Sequence, residues 1–325
     1  MKKAVMHPTR RAILGLIGAT VFWPRRGRAE PLQAIQGYAF GTTWRIAGGP
    51  GAGLERIRPD IEALFEDIGR QMSPWRDDSV LSRFNAGPAG WRAVDDEVAE
   101  VTRAALALAR DSGGAFDPTV GPLVARWGFG PIHRGGAPDW RGLAAEAGRI
   151  AKTHDDLTVD LCGIAKGRAL DRAAQIAAAG GLGGLLLDLG GELRAIGQHP
   201  SGRSWRVAVQ HPESGGEPPA VLRLASGQAV ATSGLRNQSY ALGGQTYGHI
   251  IDPAAQTPAD DALWSVTVLA SDAMTADGWA TALFAAGATG GPALARERGI
   301  AALFLVRGGA KPRQIRVGAI GDVLL

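Results

Sequence analysis

Residues 265–287, SVTVLASDAMTADGWATALFAAG, decide how this chain reads. Residues 265–270 have the β-branched pattern of a strand, and residues 273–286 read as a helix. Asp277 and Thr281 stand four positions apart in that helix, so both project from one face. A carboxylate and a hydroxyl aimed at one point suit a hard, oxygen-seeking divalent cation. The same face is otherwise Ala, Trp and Leu, and a carboxylate buried among them is costly unless something neutralises it. Alone, the pair is weak evidence, because an Asp and a Thr at this spacing usually mark a solvated helix face, so the rest of the chain has to decide.

Outward from this stretch, helical and strand-like patterns alternate. Residues 38–47 read as a strand, and residues 53–71 as an amphipathic helix with Ile57, Ile61, Leu64, Phe65 and Ile68 on one stripe. A short helix is expected over 78–85 and an Ala/Leu-rich one over 95–112, where Asp95-Asp96-Glu97 favours the positive end of the dipole. Residues 113–130 are punctuated by Gly and Pro and read as a loop holding a short helix, 120–127. A strand over 156–161 precedes a helix over 165–179. Residues 184–189 and 192–197 form a hairpin across Gly190-Gly191. Strands follow over 205–210, 221–224 and 228–233, then a strand pair, 238–242 with 247–252. Residues 292–298 read as a helix and 301–306 as a strand. The pattern is α+β with a mixed, largely antiparallel sheet.

The N-terminus reads as an address. Residues 1–11 are basic, residues 12–23 are apolar, and small residues, Gly27 and Ala29, stand at a cleavage position. The apolar run is shorter than the ~20 residues a spanning helix needs. Arg10-Arg11 gives it a twin-arginine character, which implies export of a folded protein to the periplasm. Residues 1–29 are therefore read as a signal peptide and 30–325 as one domain, with no stable membrane insertion after cleavage. Seven of the 35 Lys and Arg residues lie in the leader, leaving 28 against 31 acidic residues and a net charge of −3. Nucleic-acid binding thereby loses its compositional support. The single cysteine, Cys162, excludes an intramolecular disulfide. It is expected to be a small buried hydrophobe.

Three further segments suggest a phosphate-bearing ligand. Asp160-Leu-Cys-Gly163-Ile-Ala165-Lys166-Gly167 runs from a strand end into a helix start, which offers backbone N–H groups and the dipole to an anion; Lys166 adds a charge there. In Gly114-Ala115-Phe116-Asp117-Pro118, Asp117 either caps the helix that follows or hydrogen-bonds a ligand. His249, in Gly248-His-Ile-Ile-Asp-Pro253, is either packed against backbone or serves as a ligand contact or proton acceptor. The remaining histidines form no zinc-ligand pattern, and no Gly-x-Ser-x-Gly elbow is present.

Taken in order, these segments and four others resemble one family. The others are Met72-Ser-Pro-Trp75-Arg-Asp-Asp-Ser-Val-Leu-Ser-Arg-Phe-Asn85, Trp127-Gly-Phe-Gly130, Leu187-Asp-Leu-Gly-Gly-Glu-Leu-Arg194 and Ala231-Thr-Ser-Gly234. The whole resembles the ApbE family of FAD:protein FMN transferases from about Phe40 to Gly287. The resemblance implies an α+β, T-fold-related, two-lobed domain with a flavin cleft. It implies Mg2+-dependent cleavage of FAD, transfer of FMN through a phosphoester to a Thr or Ser hydroxyl of a target flavoprotein, and release of AMP. By matching positions, Mg2+ is held by Asp277, Thr281 and the main-chain carbonyl of Ala165; Ala280 matches a further metal-site contact of some members. FAD contacts fall on Phe40, Trp75, Ala115, Phe116, Asp117, Cys162, Lys166, Arg168 and Ile251, with His249 beside the reacting phosphate. Phe40 stands where Met is common and Trp75 where Tyr is common, and both keep apolar bulk. Two other readings remain at this stage: an FAD pyrophosphatase giving FMN and AMP, and a non-catalytic flavin-binding accessory of a membrane redox complex. Exported acceptors implied by the resemblance include subunits of ion-pumping quinone reductases, electron-transfer complexes and the membrane regulator of nitrous-oxide respiration.

Overall fold

The structure, a computed structural model, describes residues 31–212, 215–236, 238–308 and 312–325. The expected signal segment, residues 1–29, lies outside the described residues. In chain order the strands are β1 (Gln33–Ala39), β2 (Thr42–Gly48), β3 (Gly90–Ala93), β4 (Leu143–Glu146), β5 (Arg149–Lys152), β6 (Leu185–Leu189), β7 (Glu192–Ile196), β8 (Trp205–Val209), β9 (Ala220–Leu224), β10 (Ala229–Gly234), β11 (Ser239–Leu242), β12 (Gln245–Gly248), β13 (Ile251–Asp252), β14 (Thr257–Pro258), β15 (Leu263–Ala270), β16 (Ala301–Val306) and β17 (Arg313–Val317). The helices are α1 (Arg58–Met72), α2 (Val80–Ala86), α3 (Asp96–Asp111), α4 (Gly121–Arg126), α5 (Ala165–Ala179), α6 (Ala273–Ala285) and α7 (Gly287–Arg298).

An eight-stranded antiparallel sheet, ordered β1-β2-β6-β7-β10-β15-β16-β17, forms the centre. Alternate residues of a strand face opposite sides, and this sheet is covered on both. In β16, Ala302, Phe304 and Val306 pack under α6 and α7, while Leu303 and Leu305 pack with the β8–β9 ribbon. In β6, Leu185, Leu187 and Leu189 face α1 and α5, whereas Leu186 faces the ribbon. Such strands read as continuous apolar runs because neither face meets water. Each fully buried Leu, Val or Phe there contributes about 1.5–3 kcal/mol relative to exposure.

Glycines set how closely the helices approach. A Cβ on Gly167 of α5 would stand 2.2 Å from the Ala273 carbonyl oxygen at the start of α6. One on Gly278 of α6 would stand 2.6 Å from Leu108 of α3. Both contacts draw α6 into the middle of the molecule.

Three expectations need correction. Residues 38–47 are not one strand but parts of β1 and β2, because Phe40 (φ 50°) and Gly41 (φ 73°) turn the chain with positive φ at both positions, the requirement of the tight hairpin turn. The Phe40 ring is held edge-on against Phe65, with centroids 5.6 Å apart. Residues 156–161 are extended but belong to no sheet. There the Asn85 side chain does the work of a strand: Val159 N–H donates to its Oδ1 and its Nδ2 donates to the Val159 carbonyl, both at 2.8 Å. Residues 247–252 are broken between β12 and β13, leaving His249 in the gap. The sheet β3-β5-β4 was not foreseen. Among the described residues, no helix is long and apolar enough to cross a membrane.

Candidate active site

The site is assembled where α5 and α6 meet on the helical face of the sheet. The start of α6 is fixed by two carboxylates. Asp272 caps it, its Oδ1 accepting the Thr275 N–H at 2.8 Å. Asp171 of α5 accepts the N–H groups of Ala273 at 2.8 Å and Met274 at 2.9 Å, and pairs with Arg194 of β7. Helix-start amides otherwise lack intrahelical partners, so these bonds both satisfy them and pin α6 to α5.

Asp277 and Thr281 then face the start of α5, as their four-residue spacing requires. Asp277 is 3% exposed, and its Oδ2 accepts the Gly167 N–H at 2.9 Å. Thr281 Oγ1 donates to the Gly163 carbonyl at 3.3 Å and lies 3.4 Å from Ser233 Oγ of β10. Gly163 is tightly enclosed: a Cβ there would stand 3.0 Å from Thr281 Cγ2 and 3.2 Å from Phe116 Cε2. Phe116 and Thr281, expected to serve flavin and metal respectively, thus border the same glycine. Ala165, two residues after that glycine, is the first residue of α5. Ala280 is fully buried, its methyl in the core beneath β15 and β16, so it offers no side-chain ligand.

The charges around this point are strongly perturbed. Burial pushes the Asp277 carboxyl up to about 7; Glu192 adds to the rise, while Lys166 and the Gly167 N–H oppose it. Burial disfavours charge on Lys166, but the Glu192 and Asp277 carboxylates outweigh it and hold the ammonium well above the usual lysine value. Lys166 Nζ bonds Glu192 Oε1, and Glu192 is 3% exposed. Burial also raises Asp188, at the end of β6, to about 6. The charge of Lys166 acts in turn on Asp188, Cys162 and His249.

His249 is half-buried and follows β12. Its Nδ1 lies 3.2 Å from the Gln238 carbonyl. A carbonyl can only accept, so Nδ1 carries the proton and the Nε2 lone pair is free. The surrounding protein lowers the ring's pKa to about 4, with Lys166 adding to the effect and Gln238 opposing it; the ring is neutral at physiological pH. A row of rings leads up to it. Trp127 stacks on Tyr247, Tyr247 on Tyr240 and Tyr240 on Phe129, with centroids 5.3–5.5 Å apart, and Phe129 meets His249 edge-on at 6.3 Å.

The other expected flavin residues have varied settings. Asp117 is buried and caps no helix: its Oδ1 accepts the Thr119 N–H at 2.8 Å and the Thr119 hydroxyl at 2.6 Å, closing a turn before α4, whose cap is Val120. Burial pushes its carboxyl up against those bonds. Ala115 precedes the buried Phe116, and Ile251 is buried in β13. Trp75 is 66% exposed on the turn between α1 and α2. Arg168 pairs with Glu97 and Glu100 of α3, which explains why it points to that helix. Cys162 corrects the expectation of burial: it is exposed. Its protein surroundings and the Asp160 carboxylate raise its thiol well above the usual value, which disfavours the thiolate needed for nucleophilic chemistry. The turn into α5 also differs from a vacant anion cradle. The Gly167 amide is taken by Asp277 and the Cys162 amide by Asp160 Oδ1 at 2.9 Å.

Glu192 and Ser233 escaped the sequence reading. Each lies in a noted segment, yet only the strand pairings show that both face α5 and α6. The available signal was the glutamate itself, a charge beginning a strand whose neighbours are apolar.

The ApbE family profile matches residues 40–304. A FAD:protein FMN transferase of Vibrio cholerae is 34% identical over 303 residues, spanning 86% of this chain and 90% of the relative. That of Klebsiella pneumoniae is 32% identical over 302 residues, spanning 86% of each. The crystal structure of Pseudomonas stutzeri flavinyl transferase ApbE, apo form, superposes with a TM-score of 0.80 at 31% identity, covering 90% of this chain and 96% of that one. The flavin transferase ApbE from Vibrio cholerae gives 0.79 at 31% identity, covering 90% and 100%.

Proposed function

The chain belongs to the ApbE family, and from that premise we propose that it moves FMN from FAD onto a Thr or Ser hydroxyl of a target flavoprotein, with Mg2+ as cofactor and AMP as leaving product. The observation that carries this reading is the convergence of Asp277 on Gly167 and of Thr281 on Gly163, with Lys166 at the same point. Relatives at 30–34% identity over most of the chain carry the name FAD:protein FMN transferase.

The residues present fit a magnesium ion. A buried carboxyl held near 7 is a group short of positive charge, and a hydroxyl and main-chain carbonyls beside it are the hard oxygen donors that ion prefers. Among the described residues, no three His, Cys, Asp or Glu side chains group to hold a metal, so most of the shell would fall to diphosphate oxygens and water. Asp277, Thr281 and the Ala165 carbonyl would hold the ion, which when bound supplies charge neutralisation at the diphosphate.

The chain's own groups do the rest. Lys166 binds the diphosphate. His249 Nε2 accepts a hydrogen bond from the acceptor hydroxyl and takes its proton as the new oxygen–phosphorus bond forms. The bond between the FMN phosphorus and the bridging oxygen breaks, and AMP leaves with that oxygen. Phosphoryl transfer of this kind depends mainly on positioning and charge stabilisation.

The test is to incubate the protein lacking residues 1–29 with FAD, Mg2+ and a candidate acceptor domain, and weigh the acceptor intact. A gain of one FMN phosphoester is expected. FMN and AMP with every acceptor of a panel unmodified would assign hydrolysis instead. The same proposal places residues 30–325 as the catalytic domain, exported to the periplasm, with membrane redox-complex subunits as acceptors. Arg10→Lys with Arg11→Lys is expected to block export, read by fractionation.

A further inference from the structure

Strand β7 supplies two charges that the proposed chemistry leaves unused, Glu192 and Arg194, and they stand on its buried face. Ile196 of β7 packs into the core under α5, while Leu193 and Ala195 face the ribbon. By the period of two, Glu192 and Arg194 therefore face α5. Arg194 holds Asp171, whose carboxylate fixes the start of α6. Glu192 holds Lys166.

The Glu192–Lys166 pair is uneven. The Glu192 side chain is 3% exposed, whereas that of Lys166 is 30% exposed. One end of the bond is anchored in the core and the other reaches the open side of the site. Glu192 Oε2 is also buried and has no hydrogen-bond partner among the described residues. A half-satisfied buried carboxylate is a poor stabilising device, since an apolar pair of similar volume does as well or better. Lysine is a point charge on a flexible four-carbon stem that carries much rotamer entropy. Fixing it before a ligand arrives removes that cost from binding.

We propose that Glu192 is a positioning residue for recognition of the substrate's diphosphate: it fixes where Lys166 presents its ammonium. The inference rests on the flavin-nucleotide reading of the site. It requires that Glu192 act on the phosphate-bearing part of the ligand, through Lys166, and not on the flavin ring.

The test uses Glu192→Gln in the protein lacking residues 1–29, with binding followed by flavin fluorescence in the absence of metal. The probes are FAD and riboflavin, which lacks both phosphates. Affinity for FAD is expected to fall about ten-fold, roughly one charge-assisted hydrogen bond, while affinity for riboflavin stays within two-fold. In a Lys166→Met background the same Glu192→Gln change should move FAD affinity less than two-fold. Glu192→Asp keeps the charge but shortens its reach. It should lower FAD affinity several-fold and serves if the glutamine variant does not fold. Equal losses for FAD and riboflavin, an undiminished effect without Lys166, or an unchanged FAD affinity in either variant would overturn the inference. A native protein that binds riboflavin as tightly as FAD would overturn the diphosphate reading itself. Native preference for FAD that both Glu192 variants retain would overturn the positioning role alone.

Discussion

Around Asp277 the chain is buried and crowded, whereas His249 is half-buried beside an exposed ribbon. Asp277 sits between two helices whose approach is set by Gly167, on a helix start fixed by Asp171 and Asp272. His249 follows the β11–β12 ribbon, whose first strand is exposed throughout and which, among the described residues, pairs with no other strand. What steadies it is the row of stacked rings and two bonds to the Gln238 carbonyl, from the His249 backbone N–H and from its ring Nδ1. The difference follows the tasks assigned to the two sides. A cation and a diphosphate need fixed charges in a low-dielectric place, where electrostatic effects are large and need no reorganisation. A protein acceptor has to enter and leave, which requires an accessible edge.

Removing the charge at the crowded side should have the largest effect. Asp277→Ala is expected to lower Mg2+-dependent turnover at least ~10³-fold, as loss of several kcal/mol of charge stabilisation implies, with the fold retained by circular dichroism. Turnover near the native rate would remove Asp277 from the metal assignment. Next, Gly167→Ala should destabilise by about 3 kcal/mol or more, because its methyl meets backbone that cannot swing aside; a chemical-denaturation midpoint equal to the native one would show that the helices are not held by that contact. On the open side, His249→Ala should slow transfer ~10²-fold with FAD affinity within two-fold. Collapse of FAD binding instead would make His249 part of the nucleotide site. The smallest effect belongs to the ring stack: Tyr240→Ala should cost about 1 kcal/mol and raise KM for the acceptor protein more than it lowers kcat.

The crowded side also carries a pH signature. The Asp277 carboxyl, raised to about 7, holds its proton more tightly in the metal-free native state than in the unfolded chain. Its contribution to stability is therefore full below about pH 4 and falls as pH rises through about 7. Asp277→Asn should flatten that fall in thermal midpoints measured from pH 4 to 8, and Mg2+ should raise the midpoint of the native protein but not of this variant.

Much of this was legible before any coordinates. The 165–179 helix, the hairpin across Gly190-Gly191 and the 265–287 strand and helix follow from local period and turn chemistry, and the structure places them within a residue or two. Their reading was secure because propensity, pattern and turn residues agree there. The single strand expected over 38–47 failed because only one of its two turn residues, Gly41, is glycine; Phe40 is held in the left-handed region by tertiary packing on Phe65. The strand expected over 156–161 failed because its backbone partner is a side chain 74 positions earlier in the chain, Asn85.

By itself the sequence determined the α+β class, the apolar stripe of the 53–71 helix, and the pairing of Asp277 with Thr281, since these depend on neighbours within a turn or two. It also supplied the motif order on which the family likeness rests. Only the tertiary structure decided that Asp277 takes the Gly167 amide, that Lys166 is held by Glu192, that Cys162 is exposed, and that His249 ends a row of rings. Those contacts join residues 26 to 120 positions apart. Local periodicity carries no information across such gaps; strand order, helix packing and the burial of charge settle them together.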